Sequence, residues 1–493
     1  MVHGLRYGSG PAVALHQRSA RESRLVPPTI AQLEKVFGSE STGRTPEERA
    51  KSSSKKYVRS QVQIAHDSPR ATGRRLSAWE ALDAYGWETL AEVTDEGAAP
   101  LISGRDEPAA TLRSRRKALG LAVKEVARAT HLSPERVAKA EQSGNLLPIR
   151  DLEQIAQALA LDERLLGSVP GARGDDALGV RLRQMAQMQD EKRFSPSDVL
   201  ALTEAAWVIS KQISLCKWLG DTAPKRFLFD SNYAYPTYER GYELAARTRS
   251  ELNLHDEEPI HLRPFVEERL SIPIVQQAMS PRFAGATVVA NGDRGIVVNE
   301  AGSNENVWVR RMTIAHELGH LLWDPESKLD KLKVDRYSDV QHDYRGVADV
   351  AEIRANAFAV SFLAPPQIVS EIARKTEDKA SAVADVMTRF GISSTAAKHH
   401  IKNVSGIDVS DVKARDLPHP SDEWIATENL TLDWFPIDKT PVSRRGRFAS
   451  FVARTYERGL ISDDTAAVYL KSKAPEIQKH FHNIMDVVDS NEQ

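Results

Sequence analysis

The sequence predicts an α+β protein of several domains, in which an all-α domain precedes a mixed α+β domain. The chain has 493 residues, which is enough for two to four domains. Apolar residues recur at helical spacing between short turns throughout 111–166. A β-branched, strand-rich stretch at 272–299 is followed by further helical patterns. Helices and strands segregated in this way along a chain indicate the α+β class.

The first 75 residues differ in composition from the rest of the chain. They are rich in Ser, Arg, Gly and Pro and hold 14 Lys/Arg against 6 Asp/Glu. Their net charge is therefore +8, whereas the net charge of the whole chain is −2. This composition predicts a basic, mostly disordered region at 1–75, with a short helix near Ile30–Val36. A solvated tail is favoured over a nucleic-acid contact. Residues 76–108 are predicted to form a short helix and a linker.

Composition also limits the class of protein. Hydrophobic residues make up 41% and charged residues 27% of the chain, as in ordinary soluble proteins. No apolar run approaches the roughly 20 residues that span a bilayer, and the start does not resemble a signal peptide. The single cysteine, Cys216, excludes an intramolecular disulfide and a cysteine-rich zinc site. We therefore expect a cytoplasmic protein with no membrane partner.

Residues 109–168 carry the pattern of four short helices. Ser133 followed by Pro134 is typical of an N-cap and a first helical position. The predicted helices are Leu112–Leu119, Val123–Thr130, Pro134–Gln142 and Ile149–Leu161.

This segment resembles the helix-turn-helix of the Cro/repressor (XRE) family. The matching positions are Leu112, Arg116, Gly120-Leu121, Glu125-Val126-Ala127, Ser133, Val137, Glu141, Pro148, Leu152, Ile155-Ala156 and Leu159. The resemblance implies that the third helix enters the major groove of double-stranded promoter or operator DNA. The implied DNA contacts are Lys124 to phosphate, and Ser133, Glu135, Arg136 and Lys139 to bases or backbone.

Two positions depart from that family. Val123 stands where Gln is frequent, which weakens the phosphate contact, and His131 stands where the turn usually has Gly and positive φ. The alternative to DNA binding is a helix-turn-helix used for dimerisation or protein docking. Such modules usually read paired half-sites, so a homodimer is a further expectation.

His316, Glu317 and His320 form the pattern HExxH. Two His four residues apart project from one face of a helix and can hold one Zn²⁺, and the Glu can reach a water on the metal. The longer form of the motif, which continues with a Gly and a third His, is absent, because Trp323 and Glu326 stand at those two positions. A third ligand must come from elsewhere, and the candidates are Asp324, Glu326, His342, Asp343, Asp349 and Glu352. We favour Glu352, since it shares a helix face with Asn356 and the small Ala359.

These residues resemble the ImmA/IrrE metallopeptidase-like domain. The carrying motifs are Ala315-His-Glu-Leu-Gly-His-Leu-Leu322, Glu352-x-x-Ala355-Asn356-x-Phe358-Ala359 and Leu363-x-Pro365, within 235–405. The resemblance implies a zincin-like fold, zinc held by His316, His320 and Glu352 with Asn356 beside them, and Glu317 as general base. A substrate could add as a strand along 295–299, at Val298 and Asn299.

The remaining segments are less informative. Residues 169–234 are predicted to be a helical connector, and 406–493 a small C-terminal module of unknown role. The insert at 324–346 could cover the cleft, and its Tyr337, His342 and Tyr344 are candidates for oxyanion support.

The pairing of the two domains resembles bacterial and phage regulators. It predicts a DNA-bound regulator whose peptidase domain cleaves a repressor- or antitoxin-type protein. One alternative is a transcription factor in which the zinc domain is a sensor or scaffold and cuts nothing. Another is the regulatory component of a toxin–antitoxin or phage-defence operon.

Overall fold

A computed structural model describes residues 27–175, 178, 194–221, 238–254, 260–324, 333–336, 350–433 and 435–489. Within it, residues 27–101 form an N-terminal module of three helices and one antiparallel sheet. The elements are α1 (Ile30–Phe37), α2 (Pro46–Ser52), β1 (Lys56–Arg59), β2 (Gln63–His66), β3 (Arg74–Ser77), α3 (Ala78–Glu96) and β4 (Ala98–Pro100). The strand order is β3-β1-β2-β4. Buried Leu33, Phe37, Tyr57, Ile64 and Leu90 fill its core.

The predicted disorder of 1–75 is therefore wrong for residues 27–75, and the predicted linker contains β4. Residues 1–26 lie outside the described part of the chain. The strands are only three or four residues long, so their alternation is too brief to register in the sequence. They are held by pairing across the sheet and by packing on α3, which local composition does not report. The predicted short helix near Ile30 is confirmed as α1.

The next four helices have the predicted all-α arrangement. They are α4 (Ala109–Ala118), α5 (Val123–Thr130), α6 (Pro134–Ala140) and α7 (Ile149–Ala158). The Ser133 hydroxyl accepts a hydrogen bond from the Arg136 amide at 3.3 Å and so caps α6. His131 adopts φ 55° at the end of α5, so a non-glycine residue takes the left-handed turn that the sequence placed there. Val126, Val137 and Ile155 close the interior of the domain.

The next long helix is α8 (Pro196–Leu219), and most of its residues are buried. By length and composition it could cross a membrane, but 72% of its apolar window is buried inside the protein. Its buried residues belong to the same apolar core as those of α4–α7. A helix that is apolar on most sides and covered by other elements is a core helix, which explains its composition.

The second α+β unit contains the HExxH pattern. Its elements are α9 (Tyr238–Glu251), β5 (Ile274–Gln277), β6 (Phe283–Ala290), β7 (Asp293–Asn299), α10 (Val307–Trp323), β8 (Lys333–Arg336), α11 (Val350–Leu363), α12 (Pro366–Lys375), α13 (Lys379–Phe390) and α14 (Ser394–Ser405). The sheet has the order β5-β7-β6-β8, with β5 parallel to β7 and the other pairs antiparallel. Helix α10 packs between this sheet and α11.

Four further helices follow: α15 (Asp422–Asp433), α16 (Arg447–Glu457), α17 (Asp463–Tyr469) and α18 (Ala474–Asp489). Helix α16 packs on α8, α17 packs on β3 of the N-terminal module, and α18 packs on α16 and α17. Buried residues of all three helices belong to the core of α4–α8. The Trp207 ring of α8 lies edge-on to Tyr469, with centroids 5.2 Å apart. Residues 406–493 were predicted as a separate module, whereas here their second half completes the core of the first half of the chain.

A buried ion cluster joins three of these regions. The Arg74 guanidinium of β3 donates to Glu153 of α7 at 2.8 Å and to Thr465 of α17 at 2.9 Å. Thr465 in turn donates to Glu80 of α3 at 2.5 Å. Burial lowers the pKa of Arg74, but the carboxylates of Glu153, Glu163 and Glu80 outweigh it and raise the pKa above its usual value. The cluster therefore ties the N-terminal module, α7 and α17 together through charges that have no access to water.

One buried histidine predicts a pH dependence of stability. His400 of α14 contacts the Tyr242 hydroxyl at 2.6 Å and the Ala364 carbonyl at 2.7 Å, and burial lowers its pKa from 6.5 to about 4. The unfolded chain then binds a proton first as the pH falls. We expect the folded state to lose about 3 kcal/mol between pH 6.5 and pH 4 from this group, relative to pH 8.

Denaturant unfolding at several pH values measures this loss. The His400→Gln variant is expected to be less stable at pH 8 but to show a shallower decline below pH 6.5. Equal slopes for the two proteins would contradict the prediction.

Candidate metal centre

The helix α10 places His316 and His320 one turn apart on a face turned toward α11. Its N-terminus is capped by the Asn306 side chain, which accepts from the Trp308 amide at 2.9 Å. Gly319 lets α11 approach, because a Cβ there would lie 2.8 Å from the Phe358 ring. The motif thus lies between two packed surfaces rather than on an exposed helix.

Three side chains from α10 and α11 converge on one point. The Nε2 atoms of His316 and His320 are 3.1 Å apart. The Oε2 atom of Glu352 lies 3.1 Å from the first and 3.7 Å from the second. Within the described residues, these are the three groups whose ligand atoms all lie within 4.8 Å of one another. Two nitrogens and one carboxylate oxygen from three side chains form the donor set of an open zinc site.

The other ring nitrogens are held by separate partners. His316 Nδ1 lies 2.9 Å from Asn356 Oδ1, and His320 Nδ1 lies 3.0 Å from Asp324 Oδ2. Both partners are acceptors, so each Nδ1 carries the proton and each Nε2 presents its lone pair. Two lone pairs facing each other at this distance repel unless a cation lies between them. The residues present therefore fit a zinc ion.

The electrostatics of the third donor agree with this arrangement. Burial would raise the pKa of the Glu352 carboxyl, but the adjacent His316 and His320 side chains lower it far below its usual range. Glu352 is accordingly an anion and suits a cation-binding donor. Arg354 bonds to Asp324 from the neighbouring helix and so fixes the acceptor of His320.

Glu317 follows His316 on α10, and its side chain contacts the sheet. Its side chain is 0% exposed, and Oε2 accepts a hydrogen bond from the Thr287 hydroxyl of β6 at 2.7 Å. Gly285 on the same strand allows this approach, since a Cβ there would lie 3.1 Å from Glu317 Oε1 and 2.7 Å from Thr313 Cγ2. Strand β6 therefore fixes the orientation of the Glu317 carboxylate.

Comparison with known families assigns both units. The model of a family described as IrrE N-terminal-like domain matches residues 282–402. A model described as helix-turn-helix domain matches residues 109–167. The chain joins a helix-turn-helix domain to an IrrE-like domain. No curated protein matches the chain.

These two assignments identify a DNA-binding regulator with a metallopeptidase-like domain. The IrrE-like match begins at the start of β6 and ends in α14, so it covers the HExxH helix and Glu352. Helix α9 and strand β5 precede the match but pack on the same domain. The resemblances seen in the sequence are thus confirmed at the level of family and fold.

The predicted substrate strand in the IrrE-like domain is wrong. Strand β7 lies inside the sheet, paired with β5 on one side and β6 on the other, so no edge is available. Val298 and Asn299 are both 0% exposed. The Asn299 side chain accepts from the Met279 amide at 2.9 Å and donates to the Phe283 carbonyl at 2.8 Å. It fixes the turn before β6. The sequence could not show this, because β5 pairs directly with β7 although β6 lies between them in the chain.

The predicted DNA contacts of the helix-turn-helix domain lie at its surface. Lys124, Ser133, Glu135, Arg136 and Lys139 are not covered by other elements. Arg136 forms an ion pair with Asp151 of α7 at 2.7 Å, so its guanidinium is already engaged. Lys139 lies one turn after Glu135 on α6 and is exposed.

Three features of the two domains were not predicted. Thr287 bonds to Glu317, and Asp324 holds His320 instead of acting as a ligand. Gln61 donates to the Asn145 carbonyl and accepts from the Leu147 amide, which supports the loop after α6. The Thr287 and Gln61 contacts join residues that lie far apart in the sequence, so local patterns do not predict them. The contact between His320 and Asp324 is different, because the sequence shows their spacing of four residues.

Several candidates fall outside the described residues. They are the alternative ligands Glu326, His342, Asp343 and Asp349, and the oxyanion candidates Tyr337, His342 and Tyr344.

Proposed function

We propose that this protein is a DNA-binding transcriptional regulator whose IrrE-like domain is a zinc-dependent peptidase of narrow range. Its substrate would be a repressor- or antitoxin-type protein. The observation that supports this is the convergence of His316, His320 and Glu352, together with a buried Glu317 whose carboxylate is held by β6. A site that only sensed metal would need the three donors but not an adjacent carboxylate oriented by β6.

The residues have distinct roles in this proposal. Zinc bound at the three donors would supply an activated water and polarise the peptide carbonyl. Glu317 is placed to accept a proton from that water and to pass it to the leaving amide nitrogen. The Thr287 hydroxyl holds the carboxylate through Oε2. Asn356 and Asp324 keep both imidazoles in the tautomer that presents Nε2.

The helix-turn-helix domain would bind double-stranded operator DNA through α6. Ser133, Glu135, Arg136 and Lys139 lie on or next to this helix, and Lys124 lies near the start of α5. Paired half-sites would require a homodimer. We place the protein in the cytoplasm, where it has access to DNA.

Lys139→Ala is expected to weaken operator binding by a few-fold up to about 10-fold, because one phosphate contact is lost. The slope of log K against log salt should decrease by about one. Arg136→Ala should have a smaller effect on the slope, since Arg136 is paired with Asp151. Fluorescence anisotropy at several salt concentrations measures both quantities.

Lys375→Ala is a control of the same charge change, because Lys375 lies exposed on α12 of the IrrE-like domain. If both Lys139→Ala and Arg136→Ala bind like the wild type, the helix-turn-helix domain has a docking role instead.

The peptidase proposal is tested with zinc-loaded wild type and Glu317→Gln, each incubated with repressor-like proteins encoded beside this chain. We expect the wild type to cut one of them, and the variant to cut it at least about 100-fold more slowly with zinc retained. Mass spectrometry of the products and metal analysis measure the two effects. If both proteins bind zinc and neither cuts, the zinc domain is a sensor. A cleaved antitoxin would place the protein in a toxin–antitoxin or phage-defence operon.

A further inference from the structure

A cavity of about 530 Å³ lies where three parts of the protein meet. One wall is a face of α8, a second is the segment that follows α7, and a third is the turn between β6 and β7. The second wall belongs to the helix-turn-helix domain, and the third belongs to the IrrE-like domain. Cavities that hold small molecules measure roughly 300–1,000 Å³, so this one is large enough for an organic ligand.

Two buried cations lie side by side on the wall. Lys211 of α8 and Arg164 are each 4% exposed and both line the cavity. The Lys211 ammonium donates to Asp162 at 2.8 Å and lies 3.2 Å from Glu163. The Arg164 guanidinium donates to Asp162 and, at 2.9 Å, to Asp83. Because both cations bond to the same carboxylate, their charges are concentrated at one end of the cavity.

These two cations have more N–H groups than the described part of the chain uses. An ammonium has three N–H donors and a guanidinium has five. Lys211 directs two donors at carboxylates, and Arg164 directs three. Donors that remain on a cation form their strongest hydrogen bonds with an anionic acceptor. The cationic end of the cavity therefore suits a carboxylate or a phosphate group.

The carboxylates of the wall, in contrast, are engaged by protein donors. Asp162 accepts from both cations, as described above. Asp293 of β7 accepts from the Ser210 hydroxyl at 2.9 Å. Asp175 accepts from the Leu178 amide at 2.9 Å and from the Asn291 amide at 3.1 Å. The wall thus offers more to an acceptor than to a donor, which favours an anionic ligand over a cationic one.

The remainder of the lining is largely apolar. It includes Leu161, Ala206 and the indole rings of Trp207 and Trp218. Small-molecule sites typically combine such a lining with a few polar groups that orient the ligand. A ligand with an apolar body can be covered by these side chains while its anionic group lies at the two cations.

We propose that this cavity binds a small organic anion, with its carboxylate or phosphate group at Lys211 and Arg164 and its apolar body against Leu161, Ala206 and Trp218. The site is separate from the candidate metal centre, because neither His316 nor His320 lines it. It does not depend on peptidase activity. A molecule bound there contacts α8 and both assigned domains, so its binding stabilises their arrangement.

The test uses the full chain and three probes of similar shape in calorimetry. Naphthoate carries a carboxylate, naphthyl phosphate carries a phosphate, and naphthylmethanol is neutral. We expect at least one of the two anions to bind about 10-fold or more tightly than the alcohol, because hydrogen bonds to charged groups are the stronger ones. The anion that binds more tightly identifies the group that the cations recognise.

Lys211→Met removes the ammonium and keeps an apolar side chain. We expect it to weaken binding of the preferred anion by about 10- to 100-fold and to leave the affinity for naphthylmethanol within about two-fold. Lys211→Arg should retain most of the affinity for the anion. A purely structural role for Lys211 would change the affinities for the anion and the alcohol alike.

A second variant blocks the cavity without changing its charges. Ser214 of α8 lines the cavity, and its hydroxyl donates to the Ser210 carbonyl at 2.9 Å. Ser214→Phe places a ring in the space and should abolish binding of all three probes. Ser370→Phe is the matched control, because Ser370 is a similarly half-buried helical serine on α12 of the IrrE-like domain. It should bind the probes like the wild type. This pair of variants keeps the test decisive if Lys211→Met does not fold.

Three results would overturn the proposal. They are failure of both anions to bind at concentrations up to about 1 mM, equal affinities for the anions and the alcohol, and unchanged binding in Ser214→Phe. None of these measurements involves zinc or cleavage, so each leaves the proposed peptidase function untouched.

Discussion

Glu352→Ala is expected to lower the zinc affinity of the IrrE-like domain by at least about 100-fold, because it removes one of the three donors. The carboxylate supplies the only anionic donor of the three, and its Oε2 lies 3.1 Å from His316 Nε2. Without it, two neutral imidazoles remain. Partners of ligands change affinity by roughly 10–100-fold, so Asn356→Ala and Asp324→Ala should fall in or below that range. Competition with a chromophoric chelator measures all four proteins.

Glu371→Ala is the matched control, because Glu371 is an exposed carboxylate paired with Lys375 on α12. It should bind zinc like the wild type. If Asp324→Ala loses more affinity than Glu352→Ala, Asp324 is the third ligand and the assignment made from the geometry is wrong.

Glu153→Ala is expected to lower the free energy of unfolding by about 3–5 kcal/mol. The substitution leaves the buried guanidinium of Arg74 without the carboxylate of Glu153. The buried guanidinium of Arg59, which lies 3.7 Å from Glu153, loses the same partner. Because Arg74 also bonds to Thr465, the loss should affect the N-terminal module, α7 and α17 in one transition. Denaturant unfolding followed by tryptophan fluorescence and far-UV circular dichroism measures it.

The control for this substitution is again Glu371→Ala, which should change stability by no more than about 0.5 kcal/mol. Glu153→Gln should fall between alanine and the wild type, since an amide still accepts a hydrogen bond. A loss below about 1 kcal/mol for Glu153→Ala, or separate transitions for the N-terminal and C-terminal helices, would show that the cluster does not join these regions.

Local patterns predicted what depends on neighbours in sequence. The four helices of the helix-turn-helix domain and the HExxH helix were predicted to within a few residues, because helical periodicity and caps are local. Glu352 could be chosen over five other carboxylate and histidine candidates because it shares a helix face with Asn356. The structure brings both residues to the ligand histidines.

The missed features depend on pairing between distant segments. The N-terminal sheet, the interior position of β7 and the pairing of β8 with β6 are all decided by which strand lies beside which. A run such as 295–299 is equally apolar in an edge strand and in a central one. Similarly, Arg74 and Glu153 read as solvated charges until the fold brings them 2.8 Å apart.

Helices α4–α8 and the C-terminal helices share one apolar core, which limits how this protein can be truncated into fragments that fold. A fragment ending near residue 168 has the boundaries of an independent DNA-binding domain by sequence. It would nevertheless uncover the apolar face that α8 and Trp207 now protect, and it would lose Thr465 from the ion cluster. Such a fragment is expected to aggregate at concentrations where the whole chain stays monodisperse. The folding unit that contains the helix-turn-helix domain is therefore discontinuous in sequence, and residues near the C-terminus complete its core.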